Sequence, residues 1–157
     1  MSILTNYTFD ELAIGQKETY SKTLTDQAIQ LFAILSGDNN PVHLDDEYAK
    51  NSHFGERVGH GMWIGAVISA AVATKLPGPG SIYVSQSLKF LRAIVPGDEI
   101  TVQLSVTEKD EKKKMVKLDC RATNQNGKIV LRGTTEVIAP TEKMTIDAPE
   151  LPTVSFA

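Results

Sequence analysis

Cysteine is almost absent from this chain: Cys120 is the only one in 157 residues. A single thiol excludes an intrachain disulfide and fits a reducing compartment. Basic charge is not in excess either, with 16 Lys and Arg against 19 Asp and Glu and a formal net charge of −3. That balance gives no electrostatic case for nucleic acid or an anionic membrane as a partner. Long hydrophobic runs are missing. The greasiest stretch, Met62 to Ala73, falls well short of the roughly 20 residues a membrane helix needs. Met1 to Lys17 has no basic stretch followed by an apolar one, so no signal peptide is expected and the cytoplasm is the expected location.

Several catalytic signatures are also lacking. There is no Gly-x-Ser-x-Gly elbow and no P-loop, which leaves the α/β-hydrolase and nucleotide-triphosphate readings without support. Gly59-x-Gly61-x-x-x-Gly65 misses the dinucleotide fingerprint by one residue. His43, His53 and His60 show no zinc-type spacing with carboxylates or thiolates, so no metal and no separate cofactor is expected. No internal repeat is present.

What remains reads as one α+β domain over residues 1–157. Gln16 to Leu24 suits a first strand. Thr25 is a good N-cap for a helix from about Asp26 to Leu35, in which Ala28, Leu31, Phe32 and Leu35 recur at helical spacing. Ser36-Gly37 ends it, and Asp38–His43 is expected to be a loop. Asp45 is placed to cap a short helix reaching Lys50. Residues 60–75 form a second long helix with no charge before Lys75, and a helix apolar on all sides is expected to be buried on all sides. Pro77-Gly78-Pro79-Gly80 stops it.

Alternation then predicts strands at Ile82–Phe90, around Val102–Val106, at Val116–Ala122 and at Ile129–Ile138. Lys109–Lys114 is a charged connection, and Asn124–Gly127 a tight hairpin. Residues 139–157, with Pro140, Pro149 and Pro152, are expected to lie as a surface tail. One buried helix followed by antiparallel strands predicts a curved sheet wrapped around that helix. Pairing of two such sheets in a dimer would protect an edge strand.

The chemistry sits in Ser36-Gly37-Asp38-Asn39-Asn40-Pro41-Val42-His43. A carboxylate and an imidazole lie on a Pro-stiffened bend that can aim both at one water, the minimum apparatus for adding or removing that water. Gly59-His60-Gly61 opens the apolar helix and is placed to offer a backbone N–H to a developing oxyanion. Plainer readings exist for each residue taken singly. Asp38 in such a loop also makes an Asx turn, Gly61 also serves close packing, and Ser69 in a buried helix also bonds back to a carbonyl one turn earlier. His60 reads as a structural hydrogen-bonder, His53 as incidental and Cys120 as core. Arg57, Lys89, Arg92 and Lys112–Lys114 are loose candidates for phosphate contacts.

Five segments in order carry a family resemblance. They are Ser36-Gly37-Asp38-x-Asn40-Pro41-x-His43, Val58-x-His60-Gly61-Met62, Pro77-Gly-x-Gly-Ser-Ile-Tyr83, Gln86-Ser87-Leu88-x-Phe90 and Val95-x-Gly97-Asp98. Together they resemble the MaoC-like branch of the hot-dog fold, specifically the (R)-specific enoyl-CoA hydratases. The resemblance implies a homodimer with an acyl-CoA tunnel near the subunit interface, and reversible hydration of trans-2-enoyl-CoA, crotonyl-CoA for example, to the (R)-3-hydroxyacyl thioester. It implies Asp38 and His43 as the catalytic pair and Gly61 as oxyanion donor. Ser69 would line the substrate site, with polyhydroxyalkanoate synthesis as a setting, while the Asn40 amide is placed to orient Asp38 or bind the substrate. Trp63 departs from the family's smaller aliphatics and would reshape the tunnel if it faced it. Dehydration of 3-hydroxyacyl thioesters on acyl carrier protein is the near alternative. Thioester hydrolysis on the same fold is disfavoured because residues 62–74 hold no Asp or Glu. A noncatalytic thioester binder is disfavoured by retention of both Asp38 and His43.

Overall fold

The computed structural model describes residues 2–157. Its centre is a five-stranded antiparallel sheet of β2 (Lys17–Thr23), β4 (Glu99–Asp110), β5 (Met115–Thr123), β6 (Ile129–Ile138) and β3 (Ile82–Phe90). Strand order across the sheet is β2-β4-β5-β6-β3. Helix α4 (Gly61–Thr74) lies in its concave face against β2 and β4. Trp63, Ile64, Val67, Ile68, Ala71 and Val72 of α4 pack with Val102, Leu104, Leu118, Cys120 and Leu131 in one core. This is the wrapped-helix architecture expected of a hot-dog fold.

Local sequence explains the elements that flank the site. Helix α1 (Asp26–Ser36) starts on the Thr25 side chain, which accepts from the Ala28 N–H at 3.0 Å. It ends at Gly37, whose φ of 78° is left-handed and whose N–H reaches the Ala33 carbonyl at 2.8 Å. The expected loop holding His43 is in fact a single helical turn, α2 (Pro41–Leu44). Asn40 caps it by accepting from the Val42 N–H at 3.3 Å, and Pro41 occupies a first-turn position where a missing N–H costs nothing. Asp45 caps α3 (Asp46–Lys50). Arg57 braces the three helices. Its guanidinium bonds Asp26 at 2.6 Å and Asp46 at 2.7 Å and reaches the His43 carbonyl at 3.5 Å. The Asp46 and Asp26 hydrogen bonds raise its pKa. Arg57 is therefore a strut, already paired, rather than a free phosphate ligand.

Three expectations change. Residues 139–157 are not a tail throughout. Thr145–Asp147 forms β7, which pairs antiparallel with β1 (Ile3–Thr5). Asn6 fastens the same stretch by donating to the Glu142 carbonyl at 3.0 Å. Backbone pairing between the chain's two ends carries no short-range signal, which is why period alone missed it. The segment after β7 has no regular structure and touches α1, where the Gln27 amide donates to the Val154 carbonyl at 3.0 Å. Helix α4 is not buried on every side: Met62 is 58% exposed, and Ala66, Ser69 and Ala73 are exposed along the same flank. Finally, β4 runs on to Asp110, so the charged connection shrinks to a turn over residues 111–114, with Lys114 at a φ of 51°.

Candidate active site

Asp38 follows the left-handed end of α1, and His43 sits on α2 directly after it. The two converge. His43 Nε2 lies 3.7 Å from Asp38 Oδ2, with the carboxylate side chain 48% exposed and the imidazole 11%. The other edge of His43 is fixed, because Nδ1 is 2.7 Å from the Val58 carbonyl. A carbonyl only accepts, so the proton is on Nδ1 and the lone pair of Nε2 faces Asp38. Asp38 divides its carboxylate. Oδ1 accepts from the Asn40 N–H at 3.2 Å, an Asx turn, while Oδ2 faces the imidazole. The Asx turn of the plain reading is present on Oδ1, and Oδ2 is left to face the imidazole.

Two acceptors 3.7 Å apart are too distant to bond each other. They are well placed to share one water, which has a proton for each.

His43 opens onto a cleft of about 420 Å³ lined also by Asn40, Val58, Gly61, Ile64, Phe90 and Arg92. Gly61 is the first residue of α4, and no side chain caps that helix start. Its N–H therefore has no intrahelical partner and carries the positive end of the helix dipole toward the cleft. A methyl group on Gly61 would stand 3.0 Å from Cδ1 and Cε1 of Phe90, so glycine is also what the packing of β3 against α4 requires.

Asp38, His43 and His60 form the one cluster of metal-type donors found among the described residues. The rings of His43 and His60 are stacked, with centroids 3.8 Å apart and planes tilted by 26°. In-plane lone pairs on stacked rings do not converge on one ion, so this donor set does not fit a metal held by all three.

Of the other candidates, Asn40 lines the cleft and Arg92 stands at it. Ser69 and Trp63 do not line it. Ser69 lies on the exposed flank of α4. Trp63 is buried on the opposite side of the site, beside a second groove formed with Tyr20, Ala66, Ala70 and Leu151. Lys89 is opposite Arg132 in the sheet, and Lys112–Lys113 belong to the remote β4–β5 turn. Residues that the motif alone did not single out for the cleft are Phe90, Leu91 and Ile94. Only the pairing of β3 with β6 carries these apolar residues back beside α4.

A sheet wrapped on one helix, with an acid–imidazole pair facing an uncapped helix start, defines a hot-dog protein equipped for acid–base chemistry. The sequence model of the MaoC like domain matches residues 11–127, and the chain belongs to that family. It is 41% identical over 132 residues to the (R)-specific enoyl-CoA hydratase of Rhodospirillum rubrum, covering 84% of this chain and 91% of that one. Its fold superposes on the unliganded R-hydratase PhaJ1 from Pseudomonas aeruginosa with a TM-score of 0.95 and 47% identity, over 99% of this chain and all of the other (100%). An (R)-hydratase from A. caviae involved in PHA biosynthesis gives a TM-score of 0.79 and 37% identity, over 82% of this chain and 98% of that chain.

Proposed function

We propose that this protein is an (R)-specific enoyl-CoA hydratase, adding water reversibly to trans-2-enoyl-CoA, and that Asp38 and His43 are its catalytic pair. The observation that carries the assignment of the pair is the 3.7 Å gap between two acceptors, one of which, His43, lines an acyl-sized cleft. A water gripped there donates one proton to each group. As its oxygen attacks C3, the double-bond electrons move toward the thioester oxygen, where the Gly61 N–H and the start of α4 stabilise the charge; one such donor is worth about 3–4 kcal/mol in related mechanisms. The pair takes a proton from the water and returns one to C2, so OH and H arrive from the same face. Asn40 lines the cleft with its Oδ1 engaged by the Val42 N–H, which leaves its amide NH2 to donate to the substrate. Short acyl chains such as crotonyl suit the cleft, and no cofactor beyond the CoA of the substrate is required.

The working unit is a homodimer. Of the two sheet edges, β2 carries Lys17, Glu18 and Lys22, whereas β3 offers exposed Ile82, Val84 and Phe90 with one lysine. Charged edges resist pairing and apolar ones invite it. The open flank of α4 adjoins that edge, since Gly65 lies against Leu88 of β3. A role in polyhydroxyalkanoate synthesis accords with the similarity to the A. caviae hydratase involved in PHA biosynthesis, and a cytoplasmic location with the single, free cysteine. No described helix is long and apolar enough to cross a membrane.

The test is loss of 2-enoyl absorbance from crotonyl-CoA, alongside its acyl-carrier-protein counterpart, with chiral analysis of the product. Asp38→Asn and His43→Gln should each lower kcat by at least about 100-fold while leaving the fold intact. An (S) product, or full turnover in both variants, refutes the assignment. Faster turnover on the carrier-protein thioester shifts it to the dehydratase.

A further inference from the structure

His60 lies at the junction of every part of the site, yet its ring is sealed off, with its side chain 2% exposed. Its Nε2 is 3.0 Å from the main-chain carbonyl of Asp38. A carbonyl accepts, so the proton is on Nε2. Its Nδ1 is the one buried side-chain nitrogen or oxygen among the described residues without a hydrogen-bond partner. Such an atom carries a desolvation penalty that folding alone gives no reason to keep. One face of the ring stacks on His43 with centroids 3.8 Å apart, and Phe32 of α1 lies tilted against it at 4.9 Å. The residue that follows is Gly61.

We propose that His60 is a positioning residue for the hydration, and that it sets Asp38 and His43 relative to each other and to the start of α4. The two reacting groups stand on different elements, the loop after α1 and the turn α2. Neither bonds the other directly at 3.7 Å, so something else must hold the gap that the water fills. His60 does so with two different forces. Its N–H pins the Asp38 main chain, and through it the carboxylate. Its ring plane fixes the face of His43, whose in-plane freedom is already limited by the Val58 carbonyl. Both constraints are anchored at the residue before the oxyanion donor, so acid, imidazole and N–H move as one unit. A glutamine keeps the donor without the stack, and a phenylalanine keeps the stack without the donor, whereas leucine keeps neither. Misplacement by an ångström of a group that grips the nucleophile costs about 100-fold.

This inference rests on the hydratase reading above, and its test separates the two. With crotonyl-CoA as substrate, His60→Gln and His60→Phe should each lower kcat about tenfold and His60→Leu about 100-fold, with KM within about threefold of wild type. Nitrogen-15 NMR of the wild-type imidazoles supplies a readout that needs neither turnover nor a variant: His60 should carry its proton on Nε2 and His43 on Nδ1. In whichever variants fold, the His43 ring signals should shift or broaden. Wild-type kcat in the folded variants, a loss confined to KM, or a His60 proton on Nδ1 overturns the positioning role. A wild-type enzyme inert toward enoyl thioesters refutes the hydratase reading instead, and the NMR tautomers still decide whether His60 holds the pair as described.

Discussion

At Gly61 a single missing carbon serves two purposes. In the proposed reaction the backbone approaches the substrate as an N–H donor, and the ring of Phe90 occupies the space a side chain would need. Gly61→Ala keeps the N–H and tests the second. Alanine gains up to about 1 kcal/mol of helix propensity over glycine, and this offsets part of the clash at 3.0 Å, because Phe90 is 47% exposed and can yield. Stability in urea should therefore change by less than about 1 kcal/mol. The displaced ring narrows the cleft, so kcat/KM for crotonyl-CoA should fall by about tenfold or more, an effect of misalignment. Unchanged kcat/KM would show that the reaction tolerates the displaced ring. Cys120 illustrates the opposite case. It is fully buried beside the Thr135 hydroxyl at 2.9 Å, and burial raises its thiol pKa, so it is an inert core group rather than a nucleophile.

Elements determine where those residues point. The end of α1 is the decisive one, because Gly37 reverses the chain in a left-handed conformation and the next residue is Asp38. The cost of a side chain there is about 1–2 kcal/mol. No atom lies within 4 Å of a methyl group built on Gly37, so the cost is purely conformational. Gly37→Ala should lower the unfolding free energy by that amount and also reduce kcat, since relief of the strain moves Asp38 away from His43. Equilibrium denaturation and turnover measured on the same preparation check both effects. A stability loss with full turnover would show that α2 and His60 hold the carboxylate without help from the turn. The Asp38 bend was legible in the sequence because its signals are local: glycine, Asx residues and proline each act within a few positions. That His43 stands on a helical turn was not, since a single turn has too few residues to show a period.

On the scale of the whole molecule, the sheet has two open edges, and β3 is the apolar one. β3 is exposed along most of its length, with a register shift between Tyr83 and Ser85 that leaves Val84 unpaired and 50% exposed. The alternation expected of a half-buried strand is muted here because α4 covers the sheet mainly over β2 and β4. A charge on this strand should weaken a homodimer built across it. Val84→Lys should shift sedimentation from dimer toward monomer at micromolar concentration, and turnover should fall with dissociation because Phe90 of the same strand lines the cleft. A wild-type chain that sediments as a monomer would remove the dimer from the proposal. Trp63, by contrast, faces a groove shared with the segment after β7 and not the cleft, so the bulk that distinguishes it in the sequence does not reach His43.

The sequence by itself determined the acid–imidazole bend, the glycine start of the apolar helix, the central strands and the family. These rest on contacts between near neighbours or on a strict two- or 3.6-residue period. Only the tertiary structure decided that His60 stacks on His43 while bonding Asp38, that Phe90 returns to close the cleft, that Ser69 and Trp63 lie away from it, and that the chain's two ends pair as β1 and β7. Each of these joins residues far apart along the chain. Such contacts arise from how a sheet curves around a helix, and that curvature depends on all the strands together.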